Sequence, residues 1–125
     1  MQNIDKIVSE FTLKDISGTM KVSIEQFIEL YNEDKAILLD IRMPFETVVW
    51  GVKFAVEIPY NELPNALEKL PKDKKIVCAC PHEYRASMAK EYLRFKGFDT
   101  GTLNGGLLEL MSYLKGGVAK EIKGL

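Results

Sequence analysis

The stretch KIVCACPHEYR, from Lys75 to Arg85, decides the fold of this 125-residue chain. Its first half is an apolar run without polar alternation, which is typical of a strand buried on both faces in a parallel sheet. Its second half is a short polar loop that leads into an amphipathic helix beginning near Arg85. Because a buried strand, a loop and a helix form the repeating unit of α/β folds, we predict that fold class.

The rest of the chain repeats this alternation of strands and helices. Apolar runs predict strands over residues 36–41, 54–59 and 98–103 as well as 75–80. Apolar residues at the i, i+3, i+4, i+7 spacing predict five helices, marked by the sets Ile4/Ile7/Val8/Phe11, Ile24/Phe27/Ile28/Tyr31, Leu63/Ala66/Leu67/Leu70, Arg85/Met88/Ala89/Tyr92 and Leu107/Leu110/Met111/Leu114. The capping box of Ser23 and Gln26 fixes the start of the second helix. We expect a three-layer sandwich with a central, mostly parallel sheet and helices on both faces.

The length of the chain predicts one domain. Residues 1–17 form an N-terminal extension that we expect to be helical. Residues 18–116 form the α/β domain itself. Residues 117–125, which follow a pair of glycines, form a C-terminal tail that we expect to fray.

Charge and hydropathy exclude several classes of partner. The chain has 17 Lys and Arg against 18 Asp and Glu, and this balance argues against nucleic acid as a partner. No apolar run approaches the roughly 18 residues that a membrane span needs. The N-terminus lacks the apolar core of a secretion signal, so we expect a cytoplasmic protein with reduced thiols. We expect Cys78 and Cys80 to point to opposite faces of their strand, which argues against a disulfide.

Cys80 lies where chemistry is expected in a sheet of this kind. Ligands of open α/β sheets bind beyond the carboxyl ends of the strands, and Cys80 ends the predicted strand one short loop before a helix. The exposed N–H groups and positive dipole of a helix start favour an anion such as a thiolate. Arg85 adds a cation at the end of the loop. These features predict a nucleophilic cysteine.

Further motifs follow one another in a fixed order along the chain. They are Ser23-Ile24-Glu25-Gln26-Phe27, Leu38-Leu39-Asp40-Ile41-Arg42 with Pro44 and Glu46, Ala55-Val56-Glu57-Ile58-Pro59, Ile76-Val77-Cys78-Ala79-Cys80 leading to Arg85, Gly97-Phe98 and Leu103-Asn104-Gly105-Gly106. With these motifs the chain resembles a single-domain rhodanese from about Met20 to Leu114. The resemblance implies the rhodanese-like form of the predicted sandwich.

The resemblance also implies an activity, which is sulfur transfer without a metal or organic cofactor. Cys80 is then the nucleophile that carries a sulfane sulfur as a persulfide, and Arg85 assists it. The implied partners are a small sulfur donor and an acceptor that is cyanide, a small thiol or a protein. Oligomeric state is left open. The residues that we expect to bind substrate are Pro81, His82, Glu83, Tyr84 and Asp40.

Some residues depart from the family pattern and keep other functions open. Glu83 stands where sulfurtransferases commonly have glycine, and Pro81 removes one N–H group from the loop. Both changes disfavour thiosulfate as the donor, and they favour a non-catalytic or partner-specific binding module as the alternative function. A phosphatase or arsenate reductase is a further alternative, but the six-residue loop from Cys80 to Arg85 is one residue shorter than in the related phosphatases.

Other prominent residues have simpler structural interpretations. We expect Cys78 to pack in the core, and the resemblance implies that Arg42 forms a structural ion pair with Glu46. We expect Gly105 and Gly106 to allow a close approach of two backbones before the last helix. His82 is the only histidine, so a zinc site formed with the cysteines lacks ligands.

Overall fold

The fold is a parallel sheet of five strands between two layers of helices. The computed structural model describes residues 4–13 and 20–124. The strands are β1 (Lys21–Val22), β2 (Ala36–Asp40), β3 (Val56–Glu57), β4 (Lys75–Ala79) and β5 (Thr100–Leu103). Their order across the sheet is β1-β5-β4-β2-β3, and every neighbouring pair is parallel. The predicted α/β class is therefore confirmed, and β4 is the central strand.

Helices connect the strands. The α-helices are α1 (Ile4–Ser9), α2 (Ile24–Asn32), α3 (Pro44–Val49), α4 (Tyr84–Phe95) and α5 (Gly106–Tyr113). The predicted capping box starts α2, since the Gln26 N–H donates to Ser23 Oγ at 3.1 Å and the Ser23 N–H donates to Gln26 Oε1 at 3.0 Å. Shorter 3₁₀ helices occupy Tyr60–Asn65, Leu67–Lys69 and Gly116–Glu121.

The sequence prediction is wrong for two helical segments. The predicted helix over residues 63–70 is two 3₁₀ helices, because Pro64 lacks the N–H group that a continuous α-helix needs. Helix α3 was not predicted, although Phe45, Val48 and Val49 have the i, i+3, i+4 spacing of a helix. Their side chains are 73–84% exposed, so this apolar stripe is not buried. Strand β1 was not predicted, because it has only two residues, whereas the strand predicted over residues 54–59 is confirmed only at Val56–Glu57.

Each face of the sheet has its own core. Leu38 and Val77 pack on one face with residues of α2 and α5, such as Phe27 and Leu107. The other face of the sheet holds Leu39, Ile76, Cys78 and Cys80. These residues pack with Ala86, Ala89 and Leu93 of α4, with Leu63 of the first 3₁₀ helix and with Ala66, which lies between the two 3₁₀ helices. Consecutive strand residues are thus buried on both faces, as the unbroken apolar runs predict.

The C-terminal tail is docked and does not fray. Ile122 is 5% exposed and belongs to the core beneath α2 and α5. The Asn32 side chain donates to the Glu121 carbonyl at 2.7 Å and accepts the Lys123 N–H at 2.9 Å. The prediction of a frayed tail is therefore wrong for residues 121–123. Of the predicted N-terminal extension, α1 is helical, whereas residues 1–3 and 14–17 lie outside the described residues. Among the described helices, none is long and apolar enough to cross a bilayer.

Candidate active site

Cys80 directly follows the central strand β4 and faces the start of α4. Its side chain is 2% exposed, and its sulfur accepts the N–H of Ala86 at 3.4 Å. Ala86 is the third residue of α4, so the first turn of this helix points at the thiol. The structure thus places Cys80 at the strand end and helix start where the sequence predicts a nucleophile.

The loop after Cys80 is fixed by the start of α5. The N–H groups of Leu107 and Leu108 donate to the carbonyls of Cys80 at 2.8 Å and Pro81 at 3.3 Å. A side chain on Gly106 would overlap the carbonyl oxygens of His82 and Pro81, and Gly106 has a φ of +73°. Only glycine fits both the space and the conformation, and the predicted close approach of two backbones is confirmed here.

The backbone of residues 82–85 offers hydrogen-bond donors next to the thiol. Within residues 4–13 and 20–124, these N–H groups have no acceptor, whereas the Cys80 and Pro81 carbonyls are bonded to α5. The first N–H groups of a helix have no partner inside that helix. They can therefore bind an anion at the sulfur of Cys80.

Arg85 closes the loop onto α3. Its two terminal nitrogens donate to the two carboxylate oxygens of Glu46, at 2.8 and 2.9 Å. These hydrogen bonds lower the pKa of Glu46 from 4.5 to about 2, against the opposing effect of burial. The predicted ion pair between Arg42 and Glu46 is therefore wrong, because Glu46 binds an arginine 39 residues further along the chain.

Arg42 instead pairs with Asp40 inside the protein. The two side chains are 1% and 0% exposed, and two guanidinium nitrogens contact the carboxylate at 2.7–3.2 Å. Arg42 also donates to the Trp50 carbonyl at 3.1 Å and stacks 3.9 Å from the centre of the Trp50 ring. Asp40 was predicted to bind substrate, but it is fully buried and held by Arg42. This geometry therefore does not present Asp40 to a ligand.

Glu83 is tied to two elements outside the loop. Its carboxylate lies 3.1 Å from the Lys21 ammonium and accepts the Gly105 N–H at 3.0 Å. Burial alone would raise the pKa of Glu83, but these two partners together lower it. The other side chains that were predicted to bind substrate lie near the surface: Pro81 is half-buried, whereas His82 and Tyr84 are exposed. All four residues belong to the segment that directly follows Cys80 in the chain.

Cys78 is a core residue. It is fully buried, and burial raises the pKa of its thiol to about 12. Cys78 and Cys80 are free thiols that belong to the same core cluster. The expectation that they point to opposite faces is wrong, because residues two apart in a strand share a face. In the part of the chain that the structure describes, no group of three acidic, histidine or cysteine side chains could hold a metal ion.

The ion-pair partners of Glu46 and Lys21 were not predicted from the sequence. Glu46 was expected to pair locally, because sequence spacing cannot show that α3 lies against the first turn of α4. Lys21 lies in the two-residue strand β1, which gives no periodic signal. Lys21 lies near the loop because only β5 separates its strand β1 from β4 in the sheet. A single sequence does not show this strand order.

Comparison with known proteins gives a consistent result. Residues 23–119 match the family described as Rhodanese-like domain. The protein YtwF of Bacillus subtilis is 33% identical over 97 residues, which cover 77% of this chain and 88% of that protein. The mitochondrial thiosulfate sulfurtransferase RDL2 of Saccharomyces cerevisiae is 32% identical over 98 residues, covering 67% of this chain and 64% of that one.

The solved structure of RDL2, described as a single domain sulfurtransferase, superposes with a TM-score of 0.64 at 27% identity and covers 87% of this chain. A different kind of relative is the tRNA uridine(34) hydroxylase of Cronobacter sakazakii, which is 29% identical over 118 residues. This chain spans 33% of that hydroxylase. Similarity of this domain therefore extends to proteins with different names and lengths.

Proposed function

Because the chain belongs to the rhodanese-like domain family, we propose that it is a sulfurtransferase in which Cys80 carries a sulfane sulfur as a persulfide. The observation that supports this most is the setting of Cys80. Its sulfur accepts an N–H from the first turn of α4, and the N–H groups of residues 82–85 are without acceptors in the described chain. Relatives named as sulfurtransferases are consistent with this activity.

The first step loads the enzyme. The Cys80 thiolate attacks the sulfane sulfur of a donor, a new S–S bond forms, and the bond between that sulfur and the rest of the donor breaks. The electron pair of the broken bond leaves with the donor. The added sulfur extends from Cys80 and brings negative charge to the loop, where the N–H groups of residues 82–85 can stabilise it.

The second step unloads the enzyme. An acceptor nucleophile, such as cyanide or a thiolate, attacks the outer sulfur of the persulfide, and the Cys80 thiolate leaves. The sulfane sulfur is passed on without net oxidation or reduction, so the cycle needs no redox cofactor. The acceptor in a cell is proposed to be a small thiol or a protein.

Arg85 is proposed to act by shaping the loop. Its guanidinium binds Glu46 through two hydrogen bonds, which fixes the first turn of α4 against α3. That turn carries the N–H group that contacts the Cys80 sulfur. We therefore expect Arg85 to position the loop, with its charge shared with Glu46.

A second candidate function is a partner-binding module. It is favoured by α3, where Phe45, Val48 and Val49 expose 73%, 84% and 79% of their surfaces. Exposed apolar clusters of this kind often mark protein interaction sites. Such a module would not need a reactive thiol at Cys80.

Steady-state sulfur transfer distinguishes these functions. We expect the wild-type protein to transfer sulfur from a persulfide donor to cyanide, with ping-pong kinetics. Cys80→Ser should reduce the rate to that of the uncatalysed reaction, whereas Cys78→Ala should retain it. A folded wild-type protein that transfers no sulfur would contradict the proposal and favour the binding module. Hydrolysis of an aryl phosphate that depends on Cys80 would instead indicate a phosphatase.

A further inference from the structure

We infer that the sulfur donor is an organic persulfide, which reacts in its protonated form RSSH, rather than a sulfur oxyanion such as thiosulfate. This inference rests on the proposed function, because it names the donor class for the same Cys80 site. It follows from the charges around the loop. Both formally charged side chains of the loop, Glu83 and Arg85, are already paired with an opposite charge.

Arg85 does not present a free cation to a donor. Both of its terminal nitrogens bind the Glu46 carboxylate, at 2.8 and 2.9 Å. A bidentate pair of this kind is among the strongest side-chain hydrogen-bond arrangements. A donor oxyanion would have to compete with a carboxylate that is part of the same folded chain.

Glu83 neutralises the charge of Lys21, a second cation near the loop. Its carboxylate lies 3.1 Å from the Lys21 ammonium, and the N–H of Gly105 holds the second carboxylate oxygen at 3.0 Å. Pro81, at the loop's second position, has no N–H group to offer. The loop therefore has backbone dipoles for one negative sulfur but no net positive charge for a dianion.

The two donors differ in the charge that they bring. Thiosulfate enters as a dianion and leaves as sulfite. With RSSH, the Cys80 thiolate attacks the terminal, protonated sulfur, the donor S–S bond breaks, and RS⁻ leaves with the electron pair. The products are Cys80–S–SH and RS⁻. The proton of the Cys80 persulfide then passes to RS⁻, which gives Cys80–S–S⁻ and the thiol RSH. No oxidant is needed, and one negative charge stays at the loop.

The surface next to the loop is suited to an organic group R. Phe45 and Tyr84 are the sequence neighbours of the ion-paired Glu46 and Arg85, and their side chains are 73% and 81% exposed. Met88, one turn after Tyr84 on α4, is 45% exposed. These apolar side chains can contact an organic carrier, whereas thiosulfate has no apolar part.

Single-turnover loading measures this preference. The protein is mixed with N-acetylcysteamine persulfide or with thiosulfate, quenched by alkylation, and the fraction with one added sulfur atom is read by intact mass. We expect the second-order rate constant of the wild type to be at least tenfold higher with the persulfide. Equal rate constants would overturn the inference while leaving the proposed function intact. No loading from either donor would overturn both.

Two variants test the cause of the preference. Glu83→Gln frees the charge of Lys21, and Glu46→Gln frees that of Arg85. Each should raise the thiosulfate rate relative to the persulfide rate about threefold to tenfold, with a smaller gain at high salt. Glu68→Gln makes the same charge change on an exposed residue of the 3₁₀ segment that precedes β4, and it should alter the ratio less than twofold. If neither loop variant has a higher ratio of thiosulfate rate to persulfide rate than Glu68→Gln, the result contradicts the charge argument.

Discussion

The ends of β2 and β4 are adjacent in the sheet, and each carries an ion pair, but the two pairs differ in burial. At the end of β2, Asp40 and Arg42 are almost completely buried. At the end of β4, Arg85 and Glu46 are 42% and 23% exposed beside the loop of Cys80. The buried pair fixes the backbone and is closed to ligands, whereas the exposed pair sets the charge that a ligand meets. A carboxylate at a strand end is therefore not by itself a binding residue.

Removing Asp40 should have the largest effect on stability. Asp40→Ala leaves the buried Arg42 without its partner, and the free energy of unfolding should fall by about 3–5 kcal/mol. Asp99→Ala removes a surface partner of Lys75 and should cost less than about 1 kcal/mol. Urea denaturation of the two variants measures both values. Equal losses would show that burial does not distinguish the two kinds of pair.

The backbone contact beneath the loop should be the next most sensitive feature. Gly106→Ala forces a side chain into the carbonyls of His82 and Pro81, so we expect a loss of at least about 2 kcal/mol and slower sulfur loading. Gly117→Ala is the matched control, because a Cβ there meets nothing within 4 Å. Thermal unfolding and loading rates would be compared. If Gly106→Ala behaves like Gly117→Ala, the loop is not fixed by α5.

The two cysteines allow a narrower comparison on one face of the sheet. Cys78→Ala removes a fully buried sulfur, so we expect stability to fall by about 1 kcal/mol through the loss of core contacts. Sulfur loading should persist, because burial keeps this thiol protonated. Intact mass after incubation with a persulfide donor tests this. Loss of loading in folded Cys78→Ala would assign Cys78 a chemical role.

The exposed pair of Arg85 and Glu46 should contribute much less to stability than the buried pair, and its contribution should depend on pH. The pKa of Glu46 is lowered from 4.5 to about 2 in the folded protein, so its stabilising effect is present above pH 4.5 and is lost as the pH falls through about 2. Because both side chains reach solvent, we expect Glu46→Gln to be about 1 kcal/mol less stable than wild type at pH 7. Denaturation at pH 7 and pH 3 should show this difference shrinking. If the stability difference between wild type and Glu46→Gln is the same at both pH values, the lowered pKa of Glu46 is contradicted.

The sequence predicted the features that depend on local patterns. The apolar runs identify the buried strands β2 and β4, and Cys80 follows from its place between strand and helix. It did not predict α3, whose apolar side chains face solvent, or the partners of Glu46 and Glu83, which come from distant elements. Those contacts depend on the order of strands across the sheet. Asp40 was misassigned because the sequence does not show that it is buried with Arg42, whose guanidinium also binds the Trp50 carbonyl.

The most direct test of the central claim is the mass of the unreduced protein after incubation with a persulfide donor. The account predicts a gain of one sulfur atom that is removed by a reducing agent and is missing in folded Cys80→Ala. Peptide mapping should place the sulfur on Cys80. No gain in the wild type, or the same gain in Cys80→Ala, would contradict a sulfur carrier at Cys80.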